Sequence, residues 1–361
     1  MRPDLLALSV LASLDGMGPK RLAAVAAAHE PVDALARLRS GRPLAVTIER
    51  KIVDRWRVEA PGVDDESVRR AIVASEMSVS RPGDDAHPSA LAADVDLAPV
   101  LFRRGRPFDE SRPAVAIVGT RRCTGLGREV AHELGFGLAE AGVVVVSGLA
   151  LGVDGAAHQG ALRADGAPPL AFVGGGADVV YPKRHRDLWA SMLAVGTIAS
   201  EAPPGAAPTR WRFPARNRLI AALSDVVVVV ESRGAGGSLL TVDEAIRRDR
   251  QVMAVPGSVR NPAAVGTNAL LADGCAPVTS VDDVLLALGL SRADRGRPQP
   301  VAEPDLPEPL AQVLAAIDDG ATDLDTVVAR SGRSAAEVLA AVGDLAGRGL
   351  VVDDGAKVRR T

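Results

Sequence analysis

Between residues 114 and 256, short runs of valine, isoleucine, leucine and alanine recur, and several of them end in glycine. Residues 115–118 lead into Gly119, 143–146 into Ser147 and Gly148, and 170–173 into Gly174-Gly175-Gly176. Residues 198–199, 226–230 and 252–255 continue the series. These runs are apolar at every position rather than at every second one. A strand of that kind is buried on both faces, which is how parallel strands read when helices cover the sheet on both sides. Helical stretches opening at Gly125-Leu126-Gly127 and spanning 152–162 supply such covers. The expected fold class is therefore α/β, a doubly wound, mostly parallel sheet with helices on both faces. Ligands of such sheets bind outside the carboxyl ends of the strands, where the glycine turns lie.

The flanks read differently. Residues 1–65 are helical, with Leu5, Leu8, Leu11 and Leu14 at helical spacing and Leu22, Val25, Val32, Leu35 and Leu38 continuing it. Between the first two helices, Leu14-Asp15-Gly16-Met17-Gly18-Pro19-Lys20 has the form of a helix-hairpin-helix turn. Such a turn can offer backbone N–H groups to a phosphate, or simply connect two helices. Residues 66–110 form a lead-in with a helical stretch at 67–75, a short strand near 77–79, a loop rich in Pro, Gly and Asp, and a strand end where Leu101-Phe102 meets Arg103-Arg104-Gly105. The sheet domain as a whole spans 66–290. Residues 291–309, rich in Pro, Asp, Glu and Arg, read as a linker. Residues 310–361 then give three helices (310–317, 324–329, 335–345) and a hairpin about Asp353-Asp354-Gly355, a winged-helix pattern. Its candidate recognition helix presents Glu337 and Asp344 with no internal Arg or Lys, so it is not expected to read a major groove.

Composition excludes several classes. The net charge is −3 and the pI about 6.0, so any nucleic-acid site must be a local patch on a nearly neutral body. The excess of arginine over lysine, with abundant alanine, valine and glycine, fits a GC-rich coding sequence. Cys123 and Cys275 are far apart and without metal spacing, as expected in a reducing cytosol. The apolar run 5–14 lacks a cleavage pattern, and no stretch has the length of a membrane span, so a cytoplasmic protein is expected.

Four turns could carry chemistry. Gly119-Thr120-Arg121-Arg122 lacks both the G-x-G-x-x-G spacing and a downstream ribose-binding acid, and no G-K-[ST] is present. What remains there is a glycine turn at a helix N-terminus, an anion site in general terms. In the second turn Ser147 lacks the nucleophile-elbow pattern. Asp154 and His158 lie four apart on one helix face, spaced for a helix-terminal hydrogen bond, an acid–base pair or a metal. The third turn carries Tyr181 and Lys183. The fourth, Gly236-Gly237-Ser238-Leu239-Leu240-Thr241 with Glu244, resembles the phosphate loop of nucleotide-monophosphate phosphoribohydrolases. An extra residue, and Leu240 in place of a glycine, obstruct the approach of backbone to phosphate. Finally, although aromatics are 2% of the chain, two of them sit within Arg210-Trp211-Arg212-Phe213-Pro214-Ala215-Arg216-Asn217-Arg218 among four arginines. Cations that neutralise phosphates beside faces that stack bases suit single-stranded nucleic acid. The alternative is a surface loop with two hydrophobic anchors.

In order and combination these turns resemble the DNA-processing protein A (Smf) family. The matching residues are Val118-Gly119-Thr120-Arg121, Ser147 to Asp154 with Ala157-His158, Tyr181-Pro182-Lys183 and Ser200-Glu201. Phe213 to Ile220, Gly237 to Thr241, Ala254-Val255-Pro256-Gly257 and Gly266-Thr267-Asn268 complete the set. Two departures stand out: Gly-Gly-Gly-Ala-Asp before Tyr181, and His185 in place of a common asparagine. The resemblance implies an extended Rossmann-like domain without catalytic activity or cofactor. It implies a protein that binds and protects single-stranded DNA, loads RecA recombinase in natural transformation or general recombination, and forms a homodimer. By position it implies a basic pocket of Arg121, Lys183, Arg216 and Arg218 with Phe213 beside it; on the residues themselves, Phe213 or Trp211 would stack a base. Gly119, Thr120, Ser147, Gly148, Asn217, Gly237 and Ser238 line the DNA site on the same grounds. Arg210, Trp211 and Arg212 fall outside the family motif. The alternative function is a phosphoribohydrolase-like enzyme.

Overall fold

The computed structural model describes residues 1–290, 306–318, 321, 323–347, 351–353 and 358–360. The chain divides into two compact units, Met1–Arg292 and Ala293–Thr361. The first unit is built on nine strands: β1 (Ser78–Ser80), β2 (Leu101–Gly105), β3 (Ala114–Val118), β4 (Val144–Ser147), β5 (Leu170–Phe172), β6 (Thr197–Ser200), β7 (Val226–Val229), β8 (Gln251–Ala254) and β9 (Ala276–Pro277). Their spatial order is β1-β2-β6-β5-β4-β3-β7-β8-β9. From β6 to β9 all neighbours are parallel, and β2 and β1 extend that sheet antiparallel. The chain enters at β3, builds outward through β4, β5 and β6, then returns to the other side of β3 for β7. The β3/β7 pair is thus the topological switch point, where the turns leaving two neighbouring strands diverge and open a crevice.

The helices of this unit are α1 (Pro3–Ser13), α2 (Pro19–Ala28), α3 (Pro31–Arg39), α4 (Arg50–Glu59), α5 (Asp65–Ala74), α6 (Ser89–Ala92), α7 (Gly125–Glu140), α8 (Val153–Ala161), α9 (Arg186–Val195), α10 (Arg212–Leu223), α11 (Gly237–Ile246), α12 (Val265–Ala272) and α13 (Val281–Ala287). Because side chains alternate along a strand, each apolar run feeds two cores. Val115, Ile117, Val145, Val226 and Val228 pack under α7 and α8, with Leu134, Leu138 and Val153. Ala116, Val118, Val144, Val227 and Val229 pack on the other face, with Leu219, Leu223 and Val242. The helices α7 and α8 lie backbone to backbone. A Cβ added at Gly135 would strike the Ala157 carbonyl, and one at Gly160 the His132 carbonyl.

The N-terminal helices share a core with the sheet: Leu8, Leu11, Leu38 and Trp56 join Phe102, Ala171 and Ile198 in one buried cluster. In the turn between α1 and α2, Asp15 donates its amide to the Glu59 carboxylate, Met17 to Leu14 O and Gly18 to Gly16 O. The Trp56 indole donates to Asp15 O. The turn is therefore a helix connection locked to α4, and three of its amides are engaged internally rather than offered to a phosphate.

The second unit holds α14 (Glu308–Asp318), α15 (Leu324–Ser331), α16 (Ala335–Gly347) and the antiparallel pair β10 (Val351–Asp353) and β11 (Val358–Arg360). Val313, Val327, Val338, Leu345, Val351 and Val358 form its core. The three helices and hairpin match the winged-helix pattern read from the sequence. The expected linker lies outside the described residues up to 305. Among the described residues no helix is long and apolar enough to cross a membrane.

Candidate nucleic-acid interface

At the switch point lies a groove of about 770 Å³. The turn after β3 supplies Gly119, Thr120, Arg121 and Arg122. The segment into α10 supplies Arg210, Phe213, Arg216, Asn217 and Ile220, and the turn after β7 supplies Arg233, Gly236, Gly237, Ser238 and Leu240. The segment 210–218 is thus not a surface loop, since a helix begins at Arg212. Its groove-facing positions, 213, 216, 217 and 220, follow helical spacing. Phe213 is half-buried, with the Arg121 guanidinium 5.0 Å from its ring centroid and the Tyr181 ring at 5.5 Å. Asn217 donates to Gly237 O (3.3 Å), tying α10 to the turn before α11.

Arg121, Arg122, Arg210 and Arg233 are exposed, and among the described residues none of the four makes an ion pair. Elsewhere Arg37, Arg39, Arg55, Arg112, Arg247 and Arg248 each pair with a carboxylate. Among the described residues, the one acid lining the groove is Asp154, which is buried. The groove therefore concentrates uncompensated positive charge on a chain whose net charge is negative.

Two of the four cations expected to hold phosphates are structural. Arg216 is buried, donating to Phe172 O at 2.6 Å and lying 3.9 Å from the Asp154 carboxylate. Its guanidinium occupies the space a side chain at Gly148 would need. Burial pushes the Asp154 carboxyl up, against the opposing pull of Arg216 and Arg121. Arg218 is buried too, in an ion pair with Glu201 (2.5 Å), and it lines a different cavity. Burial raises the Glu201 carboxyl to about 7, again against the pull of its arginine. Lys183 is exposed but outside the groove's lining. Ser147 is fully buried and donates to Ile117 O (2.6 Å), so it anchors β4 to β3 and cannot reach a ligand.

The anion site expected at the N-terminus of α7 is already filled. Glu231, at the end of β7, accepts from the Thr124 amide (2.8 Å) and from its hydroxyl (2.7 Å). A Cβ at Gly127 would collide with that carboxylate. An internal carboxylate thus takes the place that a dinucleotide phosphate holds in related folds. Gly119 serves packing, since a Cβ there would press on Val153 and on Glu231 O (2.8 Å). Asp154 and His158 make neither a metal site nor a mutual hydrogen bond. No metal-binding cluster exists among the described residues. His158 is fully buried, and burial together with Arg216 and His185 lowers its pKa to about 3, keeping the ring neutral. Glu244, the candidate catalytic acid of the phosphoribohydrolase reading, pairs with Arg247 (3.0 Å) and Arg248 (2.5 Å) and lies outside the groove.

Sequence reasoning set aside Arg210 and passed over Arg233. Helical spacing back from Phe213 places Arg210 on the groove face, and Arg233 follows β7 directly. The glycines alone therefore marked the turns without showing which cations share them.

Comparison with known proteins follows the same outline. The family model for DNA recombination-mediator protein A matches residues 78–289, and a DprA winged helix domain model matches 297–351. Protein Smf of Escherichia coli is 34% identical over 259 residues, covering 70% of this chain and 69% of that one. A Mycobacterium tuberculosis relative, named as a DNA processing protein DprA, is 41% identical over 236 residues; the match spans 60% of its length. The X-ray structure of DNA processing protein A from Streptococcus pneumoniae superposes with a TM-score of 0.66 at 30% identity, covering 79% of this chain and 98% of that one. A Helicobacter pylori DNA processing protein A, whose structure concerns its single-stranded DNA binding mode, gives 0.53 at 29% identity, covering 59% and 97%.

Proposed function

The chain belongs to the DNA recombination-mediator protein A family, and we propose that it binds single-stranded DNA in the groove at the β3/β7 switch point. One observation carries this reading: Arg121, Arg122, Arg210 and Arg233, none in an ion pair among the described residues, line one groove with Phe213, and the Arg121 guanidinium lies over its ring. Arginines in one groove can neutralise phosphates, and a half-buried ring offers a face to any base, so recognition is of the strand rather than of a sequence. Unpaired bases can turn their faces toward such a ring, whereas paired bases in a duplex keep theirs stacked. Arg216 holds the floor, locking β5 to the turn after β4.

On family grounds we extend the proposal to recombination mediation without catalysis. The protein would protect a strand, pass it to a RecA-type recombinase and act as a homodimer, in transformation or general recombination. The phosphoribohydrolase alternative gains no support, because Glu244 is engaged elsewhere and Leu240 stands exposed where a glycine is needed. A gel-shift series compares oligo-dT with a duplex of equal length, with and without RecA. Preference for the single strand supports the reading; equal or stronger duplex binding overturns it.

A further inference from the structure

The segment opening α10 is a ridge between two grooves. Arg210, Phe213 and Asn217 face the switch-point groove, while Trp211, Ala215 and Arg218 face a second cavity of about 630 Å³, and Pro214 lines both. Gly16, Gly18, Pro19, Lys20 and Arg21 form the far wall of that second cavity. Trp211 is 48% exposed, although the other two tryptophans, Trp56 and Trp189, are 0% and 2% exposed. Its orientation is fixed: the Arg212 guanidinium sits 5.1 Å from the ring centroid, and the ring edge packs where a Cβ at Gly18 would stand 3.4 Å away. A large, immobilised aromatic face left in solvent beside a cation is a stacking platform for a base.

Two acids line this cavity, and both are engaged by cations. Arg247 pairs with Glu244 and Asp96 at 3.0 and 3.1 Å, while Arg248 is shared among Glu244, Asp96 and Asp94, which leaves one negative charge that Lys20 and Arg21 on the opposite wall outweigh. Arg218 is paired with Glu201, and Arg21 donates to Gly16 O (2.6 Å). Lys20 is exposed on the rim and, among the described residues, forms no ion pair within 4.0 Å, its charge acting on the Asp96 carboxylate only from a distance.

We propose that the second cavity is an extension of the single-strand path, with Trp211 stacking a base and Lys20 meeting the adjoining phosphate as the strand passes over Pro214 from the main groove. This rests on the reading of the main groove as the strand's primary site. It gives the N-terminal turn a part in binding through its side chains and its glycine wall, not through its amides.

The test uses the full chain and the intrinsic fluorescence of Trp211, with dT oligomers from about 4 to about 20 nucleotides, a range that brackets the site sizes of single-strand binders. Long strands should quench the emission, and Trp211→Phe should bind with near wild-type affinity while losing the quench. Trp211→Ala should bind long strands at least about fivefold more weakly, and Lys20→Ala should weaken them in the same sense. The shortest strands that bind should be held equally by wild type and Trp211→Ala. Saturating binding without a quench, a quench that persists in Trp211→Phe, or equal affinity of Trp211→Ala for long strands overturns the inference. If long strands bind wild type and the combined Arg121→Ala, Arg210→Ala and Arg233→Ala variant alike, it is the main-groove reading that fails.

Discussion

At the scale of single residues, the arginines divide by burial and not by motif. Arg216 and Arg218 belong to the most recognisable stretch of sequence, yet both are buried against acids. Arg210 lies outside that motif and lines the groove in the open. Replacing Arg216 by alanine strands the Asp154 carboxylate and the Phe172 carbonyl, so stability should drop by about 3–5 kcal/mol in a denaturant melt. Arg210→Ala should stay within about 0.5 kcal/mol of wild type while weakening strand binding. Equal stability of the two variants would contradict this division. His158 gives a second residue-level prediction. Its pKa falls from 6.5 to about 3 on folding, so on acidification the unfolded chain takes up a proton that the folded chain refuses. Its contribution is intact above pH 6.5 and should be eroded by about 2 kcal/mol at pH 5. Glu201 acts oppositely: its pKa rises from 4.5 to about 7, so its contribution is intact below pH 4.5 and is lost as the pH rises through 7. The difference between wild type and His158→Gln isolates the histidine. It should change between melts at pH 8 and pH 5, and a pH-independent difference would refute the assignment.

At the scale of elements, the strands were legible because a run buried on both faces leaves an unbroken apolar signature, and β3, β4 and β7 lie within a residue of their expected bounds. β9 carried no such signal, being two residues long and half-exposed. The start of α10 was not legible, because arginine, proline and an aromatic at its N-terminus serve a loop equally well. Only the separation of 213, 216, 217 and 220 from 211, 215 and 218 onto two faces discloses it. Gly125 and Gly127 mark the start of α7 in the sequence, but nothing there marks Gly135 and Gly160 as the points where the α7 and α8 backbones meet. Gly160→Ala should therefore destabilise by about 1–3 kcal/mol although alanine favours helices, because the added methyl meets the His132 carbonyl. A thermal melt at or above the wild-type midpoint would count against this close packing.

At the scale of the whole molecule, every residue lining the candidate DNA groove belongs to the first compact unit. A chain ending at residue 290 retains every groove residue, so its affinity for oligo-dT should equal that of the full chain. A folded truncation that no longer binds would assign the C-terminal unit a share of the interface. The overall negative charge hid the groove from composition, since paired arginines elsewhere cancel in the sum whereas four unpaired ones collect at the switch point. The central claim is that these four carry the electrostatic part of binding, and the salt dependence of affinity measures it directly. Log affinity for oligo-dT against log salt should fall with a slope of about −0.7 per phosphate neutralised. The combined Arg121→Ala, Arg210→Ala and Arg233→Ala variant should flatten that slope by about 2 units. An unchanged slope in the folded variant would show that the strand is held elsewhere.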